Sequence, residues 1–235
     1  MALDYTSYVN QMANLMVVGS TDSNFQTFLP GCIDYAEQRL YRELDLAATR
    51  VTDTSATLTP DVRTTTLSTT SGKFVVVEEL NVLTPVGAVS SGTRNPVRFV
   101  SKQFIDALYP TAASSVAGVP QFASVLSDTN VLFGPTPASS YTIEVIGTIR
   151  PTPLSSSNTT TFLSNYLPDL LIAASMIFAS KYMRDFSEGQ GAGSNWSAEY
   201  DKLMMSAAVE EARKLYQSQG WTAEQPRPAT TPERK

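Results

Sequence analysis

The chain contains no histidine and a single cysteine, Cys32, among 235 residues. Without histidine it lacks the commonest general base, the commonest metal ligand and the usual partner of a nucleophilic serine or cysteine. One cysteine excludes an internal disulfide framework and a thiolate zinc cluster. Cys32 falls on the apolar face of an expected helix, which predicts a buried, inert thiol. Basic residues are also in the minority, 17 against 22 Asp and Glu, for a net charge of −5. An acidic chain has no long-range pull on nucleic acid, so tight phosphate binding is disfavoured. Met1 to Tyr8 has no basic leader, and no apolar run reaches the roughly 20 residues that a bilayer requires. The expectation is a protein made in a cytoplasm, with no membrane partner, no cofactor and no metal.

What is present divides into helix, strand and helix, the pattern of an α+β fold. Tyr5, Tyr8, Met12, Leu15 and Met16 share one helical face. Phe25, Leu29, Cys32, Ile33, Ala36, Leu40 and Leu44 share the next, opposite a charged face that includes Asp34, Glu37, Arg39 and Glu43. Pro30 either sits in the first turn of this helix or kinks it. From about residue 48 Thr, Ser, Val, Gly and Pro dominate, and period-two runs replace the helical period. Strands are expected at Thr49–Leu58, Val62–Leu67, Phe74–Leu83, Val97–Val100, Gln121–Ser127, Asn130–Phe133 and Tyr141–Ile149. Ser101 to Tyr109 reads as one or two helical turns. After Arg150-Pro-Thr-Pro the helical period returns. It predicts one helix over Leu163–Phe186, a glycine turn at 189–193, and a last helix capped by Asn195. The parsing is 1–47 and 158–218 as a helical bundle of about four helices, 48–157 as an inserted antiparallel β domain, a sandwich or small barrel, between helices two and three, and 219–235 as an extended tail.

The third helix carries the strongest signal. It is apolar nearly all round, so it needs cover on more than one side. A neighbouring copy is one source of that cover, which makes Leu170, Ile172, Met176, Ile177 and Phe178 the expected oligomer interface. Signals for chemistry are weak by comparison. Gly189-x-Gly191-x-Gly193 matches half of a nucleotide fingerprint but follows a helix instead of a strand. Glu78 and Glu79 alternate across a strand and cannot act as one acid pair.

Several motifs have a family likeness when taken in order. They are Ile33-Asp-Tyr-Ala-Glu-Gln-Arg-Leu-Tyr-Arg-Glu-Leu44, Gly118-Val-Pro-Gln-Phe122, Phe133-Gly-Pro-Thr-Pro137, Arg150-Pro-Thr-Pro-Leu-Ser155 and Ala179-Ser-Lys-Tyr-Met-Arg-Asp185. Over about residues 20 to 218 the chain resembles head-to-tail adaptor (connector) proteins of tailed bacteriophages, particularly short-tailed ones. The stretch 68–117 matches none of these motifs. The resemblance implies a non-enzymatic ring of twelve copies beneath the portal protein, at the head–tail junction of the virion. Its other face meets a tail nozzle or another tail protein, and DNA passes through the channel without sequence-specific binding.

Residues 1 to 46 carry Arg39 and Arg42 against six carboxylates. Asp34, Glu37 and Glu43 are therefore expected to line the channel. Trp221, Arg227, Arg234 and Lys235 in the tail are expected to dock on the portal. The alternative reading is a carbohydrate-binding tail or capsid-decoration module, with Tyr141 and Phe122 as the aromatics for sugar stacking.

Overall fold

Each N-terminal helix starts where an aspartate can accept the first free amides. In the computed structural model, which describes residues 3–67, 72–112, 116–183 and 192–218, Asp4 accepts from the Ser7 amide at 2.7 Å and opens α1 (Tyr5–Leu15). Asp22 accepts from the amides of Asn24 and Phe25, both at 2.9 Å, and opens α2 (Ser23–Glu43). These caps satisfy donors that the first turn leaves without a partner. Pro30 lies inside α2. Both helices bury the apolar face that their periodicity indicates, including Tyr8, Met12, Leu29, Cys32, Ala36 and Leu40.

Seven strands follow a 3-10 turn at Ala47–Thr49. They are β1 (Arg50–Asp53), β2 (Thr64–Thr66), β3 (Gly72–Thr84), β4 (Thr93–Phe99), β5 (Phe122–Val125), β6 (Asn130–Gly134) and β7 (Thr142–Pro151), in the sheet order β1-β7-β3-β4-β5-β6-β2. The expectation of an antiparallel sandwich or small barrel is corrected: the strands form one mixed sheet, in which β4 and β5 run parallel. A parallel pair needs a crossover, and α3 (Lys102–Leu108) lies in this one. The crossover sits tightly on the sheet. A Cβ on Gly134 would come within 2.8 Å of Ile105 Cγ2. Leu80, Val82, Phe133, Ile143 and Val145 centre the sheet's apolar cluster.

The single helix expected over Leu163–Phe186 is two helices in the described part, α4 (Phe162–Tyr166) and α5 (Pro168–Tyr182). Pro168 makes the break, because a proline pushes the residue before it out of helical geometry. Leu167 has φ −130° and ψ 47°, and Pro168 then occupies the first turn of α5, where its missing amide costs nothing. Thr161 and Ser164 form a reciprocal capping box on α4. The last helix, α6 (Ala192–Ser218), begins before Asn195, so Asn195 is not its cap. The described residues thus form an α+β fold with six helices and a mixed seven-stranded sheet. A second apolar cluster joins α1, α2, α5 and α6.

Candidate assembly surfaces

The apolar helix α5 obtains its cover from its own chain. Leu170, Ile172, Met176 and Ile177 are buried among α1, α2 and α6. Phe178 is half-buried and stacks on Phe28 at 5.5 Å and Tyr35 at 4.8 Å between ring centroids. As folded, the first four of these expected interface residues have no open face for a second copy. Even the serines are satisfied internally. Ser175 donates to the Leu171 carbonyl and accepts from the Tyr8 hydroxyl, both at 2.7 Å.

The three carboxylates expected along a channel occupy different environments. Asp34 is exposed and accepts from Gln38 at 2.7 Å. Glu43 is exposed but committed: Arg39 Nε donates to it at 2.9 Å and the Tyr200 hydroxyl at 2.6 Å. The Arg39 guanidinium also lies 4.1 Å from the centre of the Tyr200 ring, so this cluster ties α2 to α6. Hydrogen bonds from Tyr200 and Arg39 outweigh desolvation and hold the Glu43 carboxyl below its usual range.

Glu37 is only 3 % exposed, so it is not a free channel-facing charge as folded. It accepts from the Leu154 amide at 3.2 Å, fastening the segment after β7 onto α2. Burial, with a smaller contribution from the Asp34 charge, raises its carboxyl to about 7 against the hydrogen bonds from Leu154 and Thr161. Glu211, also buried, performs the same service on α6 by accepting from the Ala47 amide at 3.1 Å and pairing with Lys214 at 2.6 Å. Burial pushes the Cys32 thiol up to about 12, which leaves it inert at neutral pH.

Other expected residues fall elsewhere. Trp221, Arg227, Arg234 and Lys235, like Gly189 and Gly191, lie outside the described residues. Tyr141 is half-buried against the sheet core, and the half-buried Phe122 packs edge-on against Phe104 at 5.4 Å. They do not form an open stacking platform for sugars. Glu78 pairs with Arg50 and Glu79 accepts from Asn81, so the two acids serve different partners.

Two surfaces escaped the sequence reading. On α6, Met205, Ala208, Val209 and Ala212 form an exposed apolar stripe, with Met205 at 73 % and Val209 at 52 %. Their i, i+3, i+4, i+7 spacing is the sequence signal for it, obscured because α6 carries another apolar face that is buried. On β3, Val75 and Val76 are consecutive exposed valines, placed so by a register shift between Phe74 and Val76. No helix among the described residues is long and apolar enough to cross a membrane.

A self-sufficient helical core with apolar side chains left on its outer surface defines a structural subunit suited to joining others. The model of the SU10 adaptor protein family matches residues 3–227, nearly the whole chain, and the chain belongs to that family. An adaptor is a structural component of a phage virion, in agreement with the likeness to head-to-tail adaptors. A search of curated proteins finds no match to the chain.

Proposed function

We propose that this protein is a non-enzymatic adaptor that forms a ring of twelve copies beneath the phage portal, extends the DNA channel and joins head to tail. The family match over residues 3–227 carries the reading. The outer face of α6 supports it, because an apolar stripe in water gains free energy when another subunit covers it. We place the contact between copies there, since α5 is already enclosed. The acidic balance of the chain suits a conduit through which DNA must slide without adhering. Asp34 is the carboxylate of α2 still free to face such a channel. The portal is docked by the tail, through Trp221, Arg227, Arg234 and Lys235, and a tail protein meets the opposite face.

Mass photometry of the full chain, alone and with purified portal rings, tests this directly. The expected result is a portal complex heavier by twelve copies of the 25.5 kDa chain. Portal rings that stay unchanged in mass at saturating protein would exclude it.

A further inference from the structure

Strands β3 and β7 set Lys73 directly opposite Arg150. Like charges in opposed positions destabilise an antiparallel pair. Arg50, Arg63 and Arg94 in and beside the same sheet each hold a carboxylate. Neither Lys73 nor Arg150 has one within ion-pair distance among the described residues. Arg150 Nε is moreover buried without a hydrogen-bond partner. Both residues line a cleft of about 980 Å³, together with Val75, Pro151, Pro153 and the hydroxyl residue Thr129. Asp128 is the one carboxylate in its lining, so the cleft keeps a net positive charge in an otherwise acidic protein.

The backbone supplies an independent observation. β4 pairs with β3 only from Leu80 onward, whereas β7 pairs with β3 from Gly72. The half of β3 that lines the cleft therefore has strand partners on one side only, among the described residues. An open strand edge presents a row of free amides and carbonyls that can template an added strand.

We propose that this cleft binds an extended, carboxylate-bearing segment of a protein partner, added as a strand along the free edge of β3. The backbone of the segment pairs with β3, and its apolar side chains cover Val75 and the two prolines. One of its carboxylates lies between Lys73 and Arg150, where a guanidinium can hold it through two parallel bonds. That carboxylate relieves the opposed charges and gives the buried Nε its acceptor. A nucleic acid is the poorer ligand, because it has no peptide backbone to pair with the free edge of β3. The adaptor reading enters only in making the ligand a protein.

Fluorescence anisotropy of the full chain with a fluorescein-labelled peptide of alternating Glu and Val tests the site. The expected result is binding that weakens at least about tenfold when Gln replaces each Glu, when alternate amides are N-methylated, or in the Lys73→Gln and Arg150→Gln variants. Lys73 is exposed, so Lys73→Gln folds, and removal of the opposed charge leaves its Tm equal to or above that of the parent. A merely structural lysine would lower Tm and leave binding unchanged. Equal binding of the Glu and Gln peptides, parental binding by Lys73→Gln, or tighter binding of a single-stranded oligonucleotide of equal charge overturns the proposal. Mass gain on portal rings without peptide binding would sink this inference alone and leave the adaptor reading standing.

Discussion

Glu37 shows how one residue can work against its own ionisation. A carboxyl raised from 4.5 to about 7 holds its proton in the folded protein over a range where the unfolded chain has released it. The folded state therefore loses stability as pH rises between about 4.5 and 7, by on the order of 3 kcal/mol in all. Glu37→Gln retains an oxygen for the Leu154 amide and carries no charge. Its Tm should match the parent near pH 4 and exceed it at pH 8, measured by calorimetry across that range. A variant less stable at pH 8 would show that the ionised form is the one the fold requires. The sequence put Glu37 on the charged face of α2, yet it follows Ile33 by four residues, at the margin of the buried stripe. What seats it inward is the Leu154 amide, more than a hundred residues along the chain, and periodicity holds no information about that donor.

At the scale of elements, α5 and α6 make opposite predictions. Leu171 is fully buried within α5, so Leu171→Ala removes packing that the protomer itself provides. Its cost should be about 3 kcal/mol in urea unfolding of the isolated chain. On the outer face of α6, the double substitution Met205→Ser and Val209→Ser should shift the stability of the protomer by no more than about 0.5 kcal/mol. It should, however, diminish assembly on portal rings, read by mass photometry; unimpaired assembly would move the contact between copies off α6. Helical periodicity placed all four main helices and the short α3. It could not reveal that α5 is enclosed by its own chain, because an apolar circumference records the need for cover and not the source. The break at Pro168 was legible in principle, since a proline constrains the residue before it. Strand positions followed from alternation and turn residues, while the parallel β4–β5 pair depended on how α3 crosses the sheet.

For the whole molecule, the tail should separate folding from docking. Deletion of residues 219 to 235 should leave urea and thermal unfolding nearly unchanged, because α1, α2, α5 and α6 already share one apolar cluster. The truncated chain should no longer add mass to portal rings. Full binding by that chain would transfer the docking role to another surface.

The sequence by itself determined the class of this protein: the absence of histidine, the acidic balance, the order of helical and alternating segments and a run of adaptor-like motifs are all local or compositional facts. Only the tertiary structure decided which apolar face stays open, which carboxylate is buried and which cations stand opposed. Those outcomes depend on contacts between distant segments, such as Glu37 with Leu154 and Lys73 with Arg150. A residue's burial and charge environment are set by whatever the fold brings beside it, and no local pattern specifies that neighbour.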